Sequence, residues 1–236
     1  MSYSSLITKA VIVRVGTKEY RGHTIEIGRD FIVVDDDAVG AVILPIEHVQ
    51  VLECIESFHQ SDQKQQQRDP PCRDLQGLRD RLLDLHHKVV KVESGGLRGA
   101  SSFIFDVKDD YVILCVIPDG LMFVPMRHIT ALVPIGDVDL QPEFSAWVSR
   151  HTQSRAYPDR FTDLLGLYIG EPVKLGSNTP EEVVGLLSTC TDEQIQLVTA
   201  PNVRVIIPLH HVKSITSFES YDWGAERHDI LGVTTP

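Results

Sequence analysis

Apolar residues in this chain come in short runs punctuated by glycine, proline and aspartate, a spacing that predicts strands rather than helices. Val11, Val13 and Val15 alternate with Ile12, Arg14 and Gly16, which predicts a strand with its Arg14 side wetter. Residues 16–22 then read as a tight connection and 24–27 as a second strand. Gly28-Arg29-Asp30 reads as a turn, because glycine tolerates positive φ and Asp can bond nearby backbone. Residues 31–34 predict a third strand, Asp35-Asp36-Asp37 a solvated acidic turn, 39–44 a fourth strand and 49–54 a fifth. Pro45 ends the fourth strand's ladder, since it has no N–H to donate.

The same order of signals returns twice. Pro45-Ile46-Glu47-His48-Val49 has counterparts in Pro125-Met126-Arg127-His128-Ile129 and Pro208-Leu209-His210-His211-Val212. Each follows an apolar run, and His48, His128 and His211 are separated by 80 and then 83 residues. Asp30, Asp110 and Glu193 each stand 18 residues before the histidine of their own segment. Gly22, Gly99 and Gly185 read as one recurring glycine near the second strand. The chain therefore reads as three copies of a small β unit. The second has strands near 90–92, 102–107, 111–116, 121–124 and 129–133, and the third near 173–175, 183–187, 195–198, 203–207 and 215–218.

Between these units the pattern changes. Residues 60–71 are polar, glutamine-rich and closed by Pro70-Pro71, which predicts a flexible linker. Asp74 reads as an N-cap for an amphipathic helix over 75–86, with Leu75, Leu78, Leu82 and Leu85 on one face. Phe161, Leu164, Leu165 and Leu167 predict a matching helix within 159–167, and residues 144–151 a further short one. The expected domains are a first unit at 1–56, a linker at 57–73, a helix plus second unit at 74–135, a connection at 136–157, a helix plus third unit at 158–218, and a tail at 219–236.

Five short strands laid flat would leave one face bare, so each unit is expected to curl into a small barrel. Certain residues carry a family resemblance. They are Leu82-Leu83, Gly95-Gly96, Gly99, Asp110-Tyr111 and Pro125–Ile129 in the second unit, Leu164-Leu165 and Ile207–Ile215 in the third, and Gly22, Asp30-Phe31 and Pro45–Val49 in the first. On these the chain resembles the spore coat protein B family of endospore-formers over most of residues 6–217. The pattern is also similar to Sm-like and SH3-like barrels. The expected fold is thus mainly β, with three tandem small five-stranded Sm-like or SH3-like barrel units and short accessory helices. The resemblance implies a self-assembling structural or protein-interaction component of the spore coat. Its partners would be other coat or scaffold proteins, or a second copy. It would be made in the mother-cell cytoplasm and assembled onto the spore. The alternative is an Sm-like module for nucleic acid or a small ligand.

Composition narrows the chemistry. The net charge is −11, from 22 Lys and Arg against 33 Asp and Glu, so nucleic acid and anionic membranes gain no general attraction. The candidates for stacking and phosphate contact are few: Tyr20 with Lys18 and Arg21, Tyr111 with Lys108, and Lys213. No apolar run is long enough for a membrane span, and the first residues lack the basic and apolar segments of a secretory signal. Cys54, Cys72, Cys115 and Cys190 fit no zinc or disulfide framework, and Cys115 sits in an apolar run. The recurring residues Gly22, Gly99, Gly185, Asp30, Asp110, Pro45, Pro125, Pro208, His48, His128 and His211 are read as structural corners. Catalytic, cofactor and metal sites are not expected, neither at the histidine pairs His86-His87 and His210-His211 nor in the turn 94–99, and the chain is not read as an enzyme.

Overall fold

The computed structural model describes residues 7–55, 76–94, 98–116, 120–136, 144, 146, 156–176 and 182–217. The linker, the tail, Asp74, Cys72 and the turn at 95–97 lie outside them. Strands β1 (Ala10–Val15), β2 (Lys18–Ile27), β3 (Phe31–Asp36), β4 (Gly40–Pro45) and β5 (Val49–Ile55) come first. Helix α1 (Leu78–Asp84) precedes β6 (Val89–Ser94), β7 (Arg98–Val107), β8 (Tyr111–Val116), β9 (Gly120–Pro125) and β10 (Ile129–Pro134). Helix α2 (Phe161–Leu167) precedes β11 (Pro172–Leu175), β12 (Val183–Cys190), β13 (Gln194–Ala200), β14 (Val203–Pro208) and β15 (Ile215–Ser217). Of the helix expected over 144–151, Phe144 and Ala146 are helical and the other residues lie outside the described set.

Three separate barrels do not form. All fifteen strands belong to one sheet, in the order β14-β13-β12-β11-β15-β9-β8-β7-β6-β10-β4-β3-β2-β1-β5, and it is not closed. The expectation of tandem Sm-like or SH3-like barrel domains is overturned. The physical reason lies in two pairings. To close, a five-strand group must pair its fourth strand with its own fifth. Here β4 pairs antiparallel with β10, and β9 pairs antiparallel with β15. Each edge is satisfied by a strand from further along the chain, which extends the sheet.

The chain divides into two compact units, Met1–Arg81 with Thr130–Val133, and Leu82–Ile129 with Pro134–Pro236. The first has a core of Val11, Val13, Val34, Val42, Leu44 and neighbours, to which Ala131 of β10 contributes. The second has an aromatic core containing Phe103, Phe105, Tyr111, Phe123, Phe144, Tyr157, Phe161 and Tyr168. Phe144 meets Phe103 edge-on with centroids 5.2 Å apart, so Phe144, and Tyr157 with it, are core residues rather than parts of a surface connection. Arg127, in the turn after β9, donates to the Leu209 carbonyl at 2.8 Å and ties that turn to the one before β15.

Two local expectations change. Residues 18–22 are strand rather than connection: β1 and β2 join through Gly16 and Thr17, and Gly16 supplies the positive φ of 59° that a two-residue hairpin needs. The acidic run is a solvated turn only in part: Asp37 is exposed in the turn, but Asp36 is buried. Asp35 and Asp36 end β3, and the buried Asp36 carboxylate accepts from the N–H groups of Arg21 (2.7 Å), Ala38 (3.0 Å) and Val39 (3.1 Å). Those bonds offset the cost of burying its charge.

Candidate functional site

The proline–histidine corners share one geometry. Pro45, Pro125 and Pro208 are the last ladder residues of β4, β9 and β14, facing Phe31, Tyr111 and Gln194. Their φ values are −60°, −57° and −57°, with ψ of 130°, 132° and 136°. Proline's ring fixes that φ, and a single 3-10 turn follows: Ile46–His48, Met126–His128 and Leu209–His211. The first N–H of each turn is taken by the carbonyl of the residue at the 18-residue spacing. Ile46 donates to Asp30 at 2.8 Å, Met126 to Asp110 at 2.9 Å and Leu209 to Glu193 at 2.7 Å.

The side chains of Asp30 and Asp110 have a second task that the sequence did not suggest. Asp30 Oδ1 accepts from the Leu78 N–H at 2.6 Å, and Asp110 Oδ1 accepts from the Phe161 N–H at 2.7 Å. Each carboxylate thus holds the first N–H of a helix that begins about fifty positions later, an N-cap supplied from a distant turn. The signal available in the sequence was Asp at the spacing before histidine, but nothing marked the partner. Replacing Asp110 with alanine is expected to cost about 1 kcal/mol, with asparagine retaining most of it, read as a shift in the urea unfolding midpoint.

The glycines occupy different places. Register sets Gly22 opposite Val11 and Gly185 opposite Val173, whereas Ser102 stands opposite Val90. Gly99 lies between Arg98 and Ala100, where the β6–β7 register shifts. A Cβ on Gly22 would sit 1.8 Å from the Asp35 carbonyl oxygen, and one on Gly185 would sit 2.9 Å from that of Val198.

The histidines do not assemble a metal centre: among the described residues no group of three or more His, Cys, Asp or Glu is placed to hold an ion. His48 Nε2 lies 3.7 Å from Glu47. The rings of His210 and His211 are 4.2 Å apart, and those of His86 and His87 are stacked at 3.8 Å. His86 Nε2 bonds the Phe105 carbonyl at 2.9 Å. Partial burial and the neighbouring His86 hold His87 below the usual imidazole range, against an opposing pull from Asp106.

Other candidates are committed to packing. Tyr20 and Tyr111 are buried, so neither ring can stack on a base. Tyr111 donates to the Pro158 carbonyl at 2.6 Å, and burial pushes its phenol well up. Lys108 pairs with Asp106 at 2.9 Å, and Arg21 with Glu19 at 2.6 Å. Burial likewise raises Cys115, which is a poor nucleophile in consequence. A cavity of about 300 Å³ opens between Leu175, Val183, Ile207 and Val212, with His211 and Lys213 as its titratable residues. Among the described residues no carboxylate lines it. No helix among the described residues is long and apolar enough to cross a membrane.

Among the described residues, the sheet ends at two edges. In the strand order β14 and β5 each have one neighbour, so their outer N–H and C=O groups face away from the ladder. Val203 and Ile206 on β14 and Ile55 on β5 are among the exposed large hydrophobic residues.

No protein-family model matches the chain. A search of curated proteins finds similarity to spore coat protein B of Bacillus subtilis (strain 168), 24% identical over 152 residues, which covers 64% of this chain. The match spans 38% of the length of that relative, and it supports a distant relationship.

Proposed function

We propose that this chain is a non-enzymatic structural component of a bacterial spore coat that works by binding other proteins. The distant relationship to spore coat protein B carries the reading. The recurring residues support it, because the prolines and aspartates fix corners and cap helices, which is architectural work. The candidates for nucleic-acid contact support it too, since Tyr20 and Tyr111 are core residues. Expressed with a fluorescent tag in a sporulating endospore-former, the protein is expected to gather around the developing spore and to be extracted with the coat fraction. A label that stays diffuse in the mother cell throughout sporulation would sink the proposal.

A further inference from the structure

The β4–β10 and β9–β15 pairings follow one rule. In the first, Ile43 of β4 faces Leu132 of β10. In the second, Phe123 of β9 faces Ile215 of β15, and Met122 faces Thr216. Counted from the corner motif, Ile43 and Phe123 each stand two residues before the proline. Leu132 and Ile215 each stand four residues after the histidine. The strand entering a corner therefore pairs, in one fixed register, with the strand leaving the next corner along the chain. All four side chains at these positions are fully buried.

One strand of each kind is left over. β14 enters the third corner and β5 leaves the first, and these are the two ends of the sheet. The rule places Ile206 opposite Leu52, and the antiparallel register then places Val203 opposite Ile55 and Arg204 opposite Cys54. The exposure matches. Ile206 is 57% exposed, while its counterparts Ile43 and Phe123 are fully buried. Val203 and Ile55 are each 48% exposed. Leu52 is partly buried against the core of the first unit, and Ile207 against that of the second.

We propose that copies of this chain associate by pairing β14 of one copy with β5 of the next, antiparallel, with Ile206 of one opposite Leu52 of the other. The outward backbone groups of these two end strands supply the ladder, and the apolar pairs leave water. Charge on an edge strand usually discourages such pairing. Here Glu53 of β5 is already bonded by Arg14 at 3.0 Å. Because the two edges differ, the contact is head-to-tail. Each added copy leaves one β14 and one β5 free, so association continues into a closed ring or a filament. The inference names a partner for the protein-binding role proposed above and rests on that reading for its biological setting.

The test uses the purified full chain in light scattering across a concentration series. The expected result is a mass that grows with concentration above the 26.4 kDa monomer. Ile206→Lys and Leu52→Lys should each weaken association more than about tenfold, because both bury an unpaired ammonium at the contact. Circular dichroism checks that each variant keeps its strands. A second measurement does not depend on how the lysines fold. Arg204→Cys should form an intermolecular link through Cys54 with a short thiol crosslinker, and Cys54→Ser in that background should remove it. A wild-type chain that stays monomeric overturns the proposal. So do assemblies indifferent to both lysines, or crosslinking unchanged by Cys54→Ser. A monomeric protein that still reaches the spore coat would end the self-pairing and leave the coat role intact. Assembly in solution without coat localisation would do the reverse.

Discussion

Gly22→Ala is expected to destabilise the first unit by about 3 kcal/mol, a large part of a typical domain's stability. The new Cβ would lie 1.8 Å from the Asp35 carbonyl oxygen and 2.7 Å from its carbon. Both obstacles are backbone, so no side-chain rotation relieves them. Gly22 faces Val11 on one side and Asp36 on the other, and moving it disturbs both ladders. The buried Asp36 carboxylate, which accepts from the neighbouring Arg21 N–H at 2.7 Å, would be drawn in as well. Gly185→Ala should cost less, because its nearest obstacle is 2.9 Å away. Gly16→Ala has open space and should lose only about 1 kcal/mol, from its φ of 59°. Urea unfolding of the three variants should rank them in that order. Equal midpoints for Gly22→Ala and the wild type would show that the strands can separate at this point without cost.

Phe123→Ala should remove about 3–5 kcal/mol from the second unit. Its ring is fully buried, and its centroid lies 5.4 Å from that of Tyr157, 5.8 Å from Tyr168 and 6.3 Å from Tyr111. Three other aromatic rings cannot collapse into the vacated space, so a cavity persists. Phe123 also faces Ile215 where β9 meets β15. The loss should therefore be local as well as global. Hydrogen exchange at Ile215 and Thr216 should accelerate before exchange within β8, whose six residues are all buried. Uniform acceleration across β8 and β15 would mean that the β9–β15 pairing has no stability of its own to lose.

Both substitutions act at positions the sequence marked only in part. Gly22 was legible as a recurring glycine, but its place opposite Val11 was not, and the position opposite Val90 belongs to Ser102 rather than Gly99. Spacing along one strand cannot reveal a bulge, and a register shift beside Val92 moves the facing residue. Phe123 was legible as a strand residue. That it packs on Tyr157 depends on where the 136–157 connection returns.

The prolines, the 3-10 corners and the strand runs were determined locally. Proline fixes its own φ, and alternating apolar residues hide one face of whatever strand they occupy. Those features need no distant partner, so the order of elements follows from the chain alone. Which strand lies beside which does need one. The fourth strand of a group presents the same unsatisfied N–H and C=O groups to its own fifth strand as to that of the next group. Backbone hydrogen bonding does not distinguish the two, so short-range pattern could not choose between three closed barrels and one open sheet. Tertiary structure chose the sheet through the burial of Ile43 against Leu132 and of Phe123 against Ile215. The same kind of choice turned Asp30 and Asp110 from turn residues into caps for α1 and α2, because a carboxylate's second partner is fixed by what the fold brings to it.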